Sequence, residues 1–290
     1  MMDKNRLSAI YLSLIGDAIS LGSHWVYDTD KAKKHFPGRI TEYTSPEIAK
    51  FHQGKKAGDF THYGEQSFAL LKSIYNNEGF ELEKFREDWM EYIQENEMFM
   101  DHSMKDALQK FKGSDSLVGT ENVELGGLAR SAPMFLDNSI SKEDFLAQIH
   151  LTHNGEIVEQ SSEYIYEVME DILNGKDYRK ALLDNKDVND YISELFENIS
   201  SKDEVVKMAD KRGQGCSTAQ GFPIVLDVLL NYSDPVEAFS VNIRAGGDTA
   251  ARAMIIGMIL GADQGLKNLP DNLIDGFNRA GELKEMIVKL

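Results

Sequence analysis

The sequence predicts an all-α fold, and three observations support this class. Apolar residues recur at helical spacing along most of the 290 residues, alternation of apolar and polar residues is nearly absent, and the chain contains only six prolines. It has no long Gly/Ser linker, low-complexity tract or fixed-period repeat. We therefore expect residues 1–290 to form a single compact multi-helix domain, for which this length is sufficient.

The apolar periodicity predicts the helices in order along the chain. The first spans residues 5–22, with its apolar side chains on one face. Residues 29–58 are expected to be irregular, because Pro37, Gly38 and similar residues interrupt them. A buried helix is then predicted over 65–77. Further helices are predicted over 82–97, 102–111, 126–138, 142–153, 155–174, 178–185, 188–199, 203–210, 218–231, 235–243, 249–265 and 271–285.

The most informative segment is a Gly-Gly turn followed by a helix with almost no polar residues. Gly246 and Gly247 deliver Asp248 to the start of the helix predicted over 249–265, and a helix this apolar is expected to be buried on all sides. Small residues recur at every fourth position, at Ala253, Gly257 and Gly261. This stripe predicts the close approach of a neighbouring helix. Asp248 is either a simple N-cap or a residue of a site at the floor of a cleft.

Asp17 and Arg252 are charged residues on helices that are otherwise apolar. A carboxylate on a buried helix is paired, metal-bound or neutral, so Asp17 is either a site residue or a core residue that accepts hydrogen bonds. Arg252 follows Asp248 by four residues, the spacing at which two side chains share one helical face. We expect its guanidinium to stand beside that carboxylate in place of a cation; the alternative is a solvated arginine.

The composition limits the classes of partner. A formal net charge of −17 and a pI near 4.8 leave no basic excess for a phosphate backbone, so no nucleic acid is expected. No apolar segment reaches about 18 uninterrupted residues and the N terminus does not resemble a signal peptide, so we expect a cytoplasmic protein without a membrane span. Cys216 is the only cysteine, which excludes an intrachain disulfide.

A second polar cluster, at residues 57–66, surrounds two glycines before a predicted helix. It contains the carboxylates Asp59 and Glu65 together with His62 and Tyr63. A glycine turn at a helix start presents ligands to an ion. The alternative is capping of the helix by the hydroxyl at position 61.

A third cluster begins at another Gly-Gly pair, Gly126 and Gly127. We expect Arg130 to lie at a cleft edge, where it would hold a phosphate, unless the segment is an ordinary helix start. Further along, His150 and His153 have the H-x-x-H spacing that places two rings on one helical face. Such a pair either binds a metal or is structural.

The order of these clusters resembles that of the ADP-ribosylglycohydrolase family over nearly the whole chain. The matching segments are Gly16-Asp17, the glycine turn near residue 60, Gly126-Gly127 through Pro133, Thr152-His153 and, most specifically, Gly246-Gly247-Asp248-Thr249. The resemblance implies a compact all-α fold, two bound magnesium or manganese ions, and removal of ADP-ribose from modified side chains or small adducts.

The family's two metal motifs are altered here. Residues 61–66 read Thr-His-Tyr-Gly-Glu-Gln where the family has Thr-Asp-Asp-Thr, and Ala250 and Ala251 replace the second Asp and last Thr of Gly-Gly-Asp-Thr-Asp-Thr. Because alanine has no ligand atom, we expect a weak or single site for Mg²⁺ or Mn²⁺, held by Asp248 and Asp59, and no two-metal centre. The pattern is similar to a divergent branch that includes the jellyfish lens crystallins.

Two hypotheses follow from the residues and the resemblance. The first is a hydrolase acting on an N- or O-glycosidic bond of an ADP-ribosyl or related ribosyl compound, with Asp248 and either Glu65 or Asp59 as catalytic carboxylates that converge with Asp17 on one cleft. The alternative is a catalytically degenerate binding or structural protein that keeps the fold and the cleft. The expected substrate-binding residues are Asp17, His62, Tyr63, Gly126, Gly127, Arg130, His153, Gly246, Gly247 and Arg252. The expected partners are a small-molecule or ADP-ribosyl substrate, in a monomer or small homo-oligomer.

Overall fold

Most helices begin and end close to the positions that the apolar periodicity predicts. The computed structural model describes residues 4–96 and 98–289. Its α-helices are α1 (Lys4–Ser20), α2 (Thr29–His35), α3 (His62–Asn76), α4 (Leu82–Glu95), α5 (His102–Lys112), α6 (Gly126–Ala129), α7 (Lys142–His150), α8 (Glu156–Leu173), α9 (Tyr178–Asp184), α10 (Asp190–Phe196), α11 (Val205–Arg212), α12 (Thr218–Asn231), α13 (Pro235–Ala245), α14 (Thr249–Gln264), α15 (Asp271–Asp275) and α16 (Ala280–Lys289). Short 3₁₀ helices cover Leu21–Ser23, Ala132–Phe135 and Lys202–Glu204.

The fold is all α, as predicted. In the described residues, extended pairing is limited to isolated bridges such as that between Val26 and Gly247. None of the helices in these residues is long and apolar enough to cross a membrane.

Helices α1 and α14 form the centre of the core and pack antiparallel at very short distance. A Cβ atom built on Gly257 would overlap the carbonyl of Leu12, and one built on Gly261 would overlap the carbonyl of Ser8. On the other helix, a Cβ on Gly16 would lie 2.5 Å from a carbonyl oxygen of α14. Every residue of α14 from position 249 to 262 is buried. The prediction of a smooth, fully buried helix after Asp248 is therefore confirmed.

Three predicted segments differ from the observed helices for local reasons. The segment expected to be irregular contains α2, because Asp28 caps it by accepting a hydrogen bond from the Lys31 backbone N–H at 2.9 Å. The helix predicted over 126–138 is broken into α6 and a 3₁₀ turn that contains Pro133. The last predicted helix is divided into α15 and α16, with Gly276 as the C-cap of α15.

Helix α3 starts three residues before the predicted position. Thr61 is its N-cap, and the threonine hydroxyl accepts a hydrogen bond from the Tyr63 backbone N–H at 3.1 Å. The first turn of α3 therefore contains His62, Tyr63 and Glu65, all of which are buried. This turn faces the start of α14 and supplies half of the site described next.

Candidate functional site

Asp248 lies at the N terminus of α14 and is fully buried. Its Oδ1 accepts a hydrogen bond from the Ala251 backbone N–H at 3.4 Å, and its Oδ2 accepts one from the Tyr63 hydroxyl at 3.2 Å. Burial raises the pKa of Asp248, and the positive charge of Arg252 opposes that shift. Asp248 therefore caps α14 and also contacts the polar residues that α3 supplies.

The Gly246-Gly247 turn places Asp248 by backbone contacts. Both glycines have positive φ, 72° and 69°, a region that glycine adopts without steric cost. The Trp25 N–H donates to the Gly247 carbonyl at 2.7 Å, and the Gly247 N–H donates to the Val26 carbonyl at 2.8 Å. The turn thus holds the segment after α1 beside the start of α14.

Asp17 connects α1 to the start of α3. Its Oδ2 accepts the Thr61 backbone N–H at 2.7 Å and its Oδ1 accepts the Thr61 hydroxyl at 2.5 Å. Burial raises the pKa of Asp17 to about 6, although both bonds from Thr61 oppose the shift. A Cβ on Gly64 would overlap the carboxylate, so α3 begins directly against it. These contacts give Asp17 a positioning role at the base of the site.

Three buried histidines, His24, His52 and His62, form what we call the histidine cluster. One ring nitrogen of each lies within 4.8 Å of a ring nitrogen of the other two. His52 Nε2 and His62 Nδ1 are 3.2 Å apart, and His24 Nδ1 is 3.5 Å from Asp248 Oδ1. Burial, together with the neighbouring histidines, lowers the pKa of His52 to about 2 and that of His24 well below its usual value. Both rings are therefore neutral at pH 7.

Asp101 holds His62 from the opposite side. His62 Nε2 lies 3.0 Å from Asp101 Oδ2, while Asp101 Oδ1 caps α5 by accepting the Met104 N–H at 2.7 Å. Burial acts to raise the pKa of Asp101, but the hydrogen bonds from His62 and from the Met104 backbone N–H hold it well below its usual range. An ionised carboxylate only accepts hydrogen bonds, so His62 carries a proton on Nε2.

An aromatic cover, formed by Trp25, Phe51 and Phe99, lies over the histidine cluster. The Trp25 ring stacks on His24 with centroids 4.3 Å apart, and Phe51 and Phe99 contact Trp25 at 4.8 and 5.4 Å. Phe51 is 40% exposed and nearby Tyr27 is 51% exposed. Exposed ring faces of this kind stack well on planar ligands.

Two residues of this region have a costly backbone conformation. Trp25 has φ 62° and His52 has φ 59°, and only one further non-glycine residue among those described, Glu78, has positive φ. Such a conformation costs on the order of 1 kcal/mol or more for a bulky residue. The fold therefore holds both rings in place at the expense of stability.

Gly126 and Gly127 make room for aromatic side chains. A Cβ on Gly126 would come within 2.8 Å of the Tyr63 ring and 3.0 Å of His153 Nε2, and one on Gly127 would lie 3.1 Å from His153 Nδ1. His153 Nδ1 is 2.7 Å from the Thr152 hydroxyl, and its Nε2 has no hydrogen-bond partner. Burial and the charge of Arg130 lower the pKa of His153 to about 3, so this ring is also neutral.

The expected position of Arg130 at a cleft edge is wrong. Arg130 is fully buried, its Nε donates to Gln148 Oε1 at 3.1 Å, and its Nη1 donates to Gln66 Oε1 at 3.2 Å. Burial lowers the pKa of Arg130 to about 9. Because a polar network inside the core uses the guanidinium, it is not placed to hold a phosphate.

Arg252 is buried too, and its hydrogen bonds go to residues other than Asp248. Its Nε donates to Asn242 Oδ1 at 2.8 Å and its Nη2 donates to the Gly246 carbonyl, while Nη1 has no partner. Burial lowers the pKa of Arg252 to about 10, and the charge of Asp248 opposes the shift. The ion pair that the four-residue spacing predicted is therefore not formed, since Asp248 acts on Arg252 only through longer-range charge, and the alternative of a solvated arginine is also wrong because the side chain is buried.

Asp59 and Glu65 do not join Asp248. Asp59 accepts the Lys56 backbone N–H at 2.7 Å and also the Asn278 amide. Glu65 is paired with Lys55 at 3.0 Å and Arg279 at 3.3 Å, and it accepts the Tyr92 hydroxyl at 2.7 Å. Since these neighbours use the carboxylate oxygens, the predicted convergence of both residues with Asp248 is corrected, as is the metal pair of Asp248 and Asp59.

Comparison with known proteins identifies the family. A family model described as ADP-ribosylglycohydrolase matches residues 3–290. The chain belongs to the ADP-ribosylglycohydrolase family. It is 24% identical to crystallin J1A of Tripedalia cystophora, over 98% of this chain and 95% of the relative, and 24% identical to crystallin J1B of the same organism, over 96% and 93%. A solved structure titled ADP-ribosylglycohydrolase-related protein complex shares the fold with a TM-score of 0.70, at 17% identity over 98% of this chain and 95% of that chain.

The residues of this site do not fit a pair of magnesium ions. Such ions require several oxygen ligands each. Ala250 and Ala251 are buried without ligand atoms, and Thr61 binds both oxygens of Asp17. Asp248 remains as a single carboxylate, already bonded to Tyr63 and α14. The donors gathered beside it are imidazole nitrogens, which are not the ligands that magnesium prefers.

The sequence pattern missed three residues of the site. His52 lies in the segment expected to be irregular, where no periodicity marks it, and Asp101 immediately precedes a helix, where an aspartate indicates a simple cap. Glu124 also belongs to this region, because it comes two residues before Gly126, which packs against Tyr63 and His153, and burial raises its pKa. Only long-range packing brings these residues together.

Proposed function

We propose that the chain hydrolyses an N- or O-glycosidic bond of an ADP-ribosyl or related ribosyl compound. The position of Asp248 carries this proposal: the carboxylate of the most specific family segment lies at the start of the buried helix α14, beside Tyr63 and the histidine cluster. Membership of the ADP-ribosylglycohydrolase family supports the class of reaction.

Two carboxylates divide the chemistry in this proposal. Asp248 accepts a proton from a water molecule that attacks the anomeric carbon of the ribose, and its charge stabilises the oxocarbenium-like transition state. As the glycosidic bond breaks, Glu124 donates a proton to the leaving nitrogen or oxygen. One water is consumed, and ADP-ribose and the free acceptor are released. Glu124 replaces Glu65 or Asp59 as the second catalytic carboxylate, because Glu65 and Asp59 are paired with other residues.

The electrostatics favour these roles. Burial raises the pKa of both carboxylates. At Glu124 the charges of Asp101 and Asp248 add to the rise, whereas at Asp248 the charge of Arg252 opposes it, and this difference favours Glu124 as the acid and Asp248 as the base. The exposed rings of Tyr27 and Phe51 offer stacking faces for an adenine base.

The test is release of ADP-ribose from one N-linked and one O-linked substrate, an ADP-ribosyl-arginine peptide and an ADP-ribosyl-serine peptide, followed by chromatography. We expect turnover of at least one, and a loss of 100-fold or more in kcat for Asp248→Asn, on the order of a lost general base. Asp177→Asn is the matched control, because Asp177 is also an N-cap, on the exposed start of α9. Equal rates for wild type and Asp248→Asn would reject the proposal.

A binding or structural protein without turnover is the second candidate. The observation that favours it is the pair of buried alanines at positions 250 and 251, together with the similarity to two crystallins. Calorimetry with ADP-ribose separates the two functions. Binding with no product from either substrate would favour the second candidate, whereas product formation that depends on Asp248 would favour the first.

A further inference from the structure

We propose that His24, His52 and His62 together bind one divalent transition-metal ion, and that Zn²⁺ matches this donor set best. The inference rests on donor atoms and their surroundings, and it is independent of the proposed hydrolysis. It also replaces the expected magnesium or manganese site with one of different chemistry and different residues.

The spacing of the nitrogens suits a tetrahedral ion. Zn–N bonds of about 2.0–2.1 Å place two ligand nitrogens roughly 3.3 Å apart. His52 Nε2 and His62 Nδ1 are already 3.2 Å apart, and the third nitrogen completes a set in which all members lie within 4.8 Å of one another. Any pair as far apart as 4.8 Å would close to about 3.3 Å when the ion binds.

The hydrogen bonds around His62 make its Nδ1 an acceptor. The proton of His62 is on Nε2, which faces the ionised Asp101 at 3.0 Å. Its Nδ1 lies 3.2 Å from His52 Nε2, and the two nitrogens share one hydrogen bond, while the His62 backbone N–H makes a longer contact with His52 Nε2 at 3.4 Å. An ion bound between the two rings would take the place of the shared proton, and His52 would then carry its proton on Nδ1, which has no other hydrogen-bond partner.

His24 supplies the third donor. Its Nδ1 faces Asp248 Oδ1 at 3.5 Å, which leaves Nε2 for the ion. Neither ring nitrogen of this fully buried residue has a hydrogen-bond partner, although buried polar groups are normally satisfied. Asp101, hydrogen-bonded to His62, corresponds to the carboxylate–histidine–metal arrangement that orients ligands in metal sites, and Asp248 lies behind His24 without a hydrogen bond to it.

The class of ion follows from the donors. Imidazole nitrogens suit zinc, copper, nickel and cobalt, whereas magnesium and manganese prefer oxygen. Three protein ligands leave a fourth position for water.

The first experiment measures metal directly. The full chain, expressed without a polyhistidine tag, is stripped with chelator and titrated with Zn²⁺ in the presence and absence of excess Mg²⁺, and bound metal is counted by mass spectrometry. We expect one zinc per chain, no competition by Mg²⁺, and a tetrahedral visible spectrum when Co²⁺ replaces Zn²⁺. No retained zinc, or displacement by Mg²⁺, would overturn the proposal.

Two variants then assign the site. His52→Asn removes one donor and keeps a residue that tolerates the positive φ of 59°. We expect it to weaken zinc binding by 100-fold or more and to change the Co²⁺ spectrum. Asp101→Asn keeps the helix cap but removes the charge behind His62, and we expect a 10–100-fold loss of affinity, the usual cost of losing such a partner.

The matched control is His150→Asn, a histidine outside the cluster whose nearest acidic partner is Glu159 at 4.0 Å. It should bind zinc as the wild type does. Equal loss in the control would indicate adventitious binding and reject the site. Should a variant fail to fold, X-ray absorption of the zinc-loaded wild type counts the imidazole ligands, and fewer than three would reject it as well. Zinc binding without hydrolysis leaves this inference intact and rejects only the proposed function.

Discussion

The α1–α14 pair and the histidine cluster are both buried, but they obey different rules. Between the two helices, small residues let the backbones touch, and the side chains around them are apolar. In the histidine cluster, three imidazoles are packed together, and two of them leave ring nitrogens without hydrogen-bond partners. His52 and the neighbouring Trp25 also have positive φ. The packing of the first region stabilises the fold, whereas the second region contains unpartnered nitrogens and a strained backbone, both of which lower stability.

This difference indicates where selection for function has acted. Natural sequences are locally consistent with their folds, and the places where they break local rules are commonly functional. Unpartnered buried nitrogens and strained backbone occur together beside the family's aspartate, Asp248. The predictions below change one region at a time and ask whether stability responds as this distinction requires.

The largest effect is expected at the helix pair. Gly257→Ala places a Cβ on the carbonyl of Leu12, and backbone atoms do not move aside as the end of a flexible side chain does. We expect the free energy of unfolding, measured by urea denaturation, to fall by about 3 kcal/mol or more, at the upper end of overpacking costs.

Gly281→Ala is the control for that change. A Cβ at this position of α16 meets no atom within 4 Å, so alanine should leave stability unchanged or raise it by up to about 1 kcal/mol through its helix propensity. If both alanine variants unfold at the same urea concentration, the close approach of α1 and α14 is wrong.

The helix pair was also the part of the fold that the sequence predicted best. A stripe of small residues on an apolar helix has one structural meaning, and Gly257 and Gly261 contact α1 as expected. Boundaries were predicted less well where one side chain decides them. Thr61 starts α3 early and Asp28 starts an unpredicted helix, because a cap is a local hydrogen bond that apolar periodicity does not record.

A second prediction concerns Asp17, which lies on the border of the two regions. Its pKa is about 6 in the folded chain, above the ordinary value of 3.8, because of burial. Between these pH values the folded state binds more protons than the unfolded state, so this residue makes stability fall as pH rises. Asp17→Asn removes that dependence.

The measurement is urea denaturation of both proteins between pH 4 and pH 7. Relative to the wild type, Asp17→Asn should gain up to roughly 3 kcal/mol across this range, which corresponds to about two pKa units. The variant starts from a lower stability at pH 4, because an amide nitrogen, which cannot accept a hydrogen bond, replaces one of the two oxygens that face Thr61. Parallel curves would contradict the raised pKa.

The candidate site was only half predictable. The motif at Asp248 was found because a Gly-Gly turn before an apolar helix is rare, and the first turn of α3 was found because it is rich in polar residues. Arg130 was misplaced, since a sequence does not reveal that Gln66 and Gln148 will meet its guanidinium inside the core. His52 and Asp101 were missed because their importance depends on partners far away in the chain.

The smallest change in stability is expected for a substitution in the histidine cluster, and it tests the contrast with the helix pair most directly. His24→Phe replaces a fully buried ring that has two unpartnered nitrogens with an apolar ring of similar shape. Replacing an unsatisfied polar group by an apolar one is close to neutral or stabilising. In the presence of a chelator, we therefore expect the free energy of unfolding to stay unchanged or to rise by up to about 1 kcal/mol.

Thr61→Val is the contrasting change, because Thr61 is as deeply buried but its hydroxyl is bonded to Asp17 and to the start of α3. Losing that partner should cost about 1–3 kcal/mol. With zinc present the gap between the two variants should narrow, since a bound ion stabilises the wild type and Thr61→Val by mass action, whereas His24→Phe has lost a ligand. A large loss of stability in His24→Phe with chelator present would mean that the histidine cluster contributes to folding in the same way as the helix pair, and that its unpartnered nitrogens carry no functional signal.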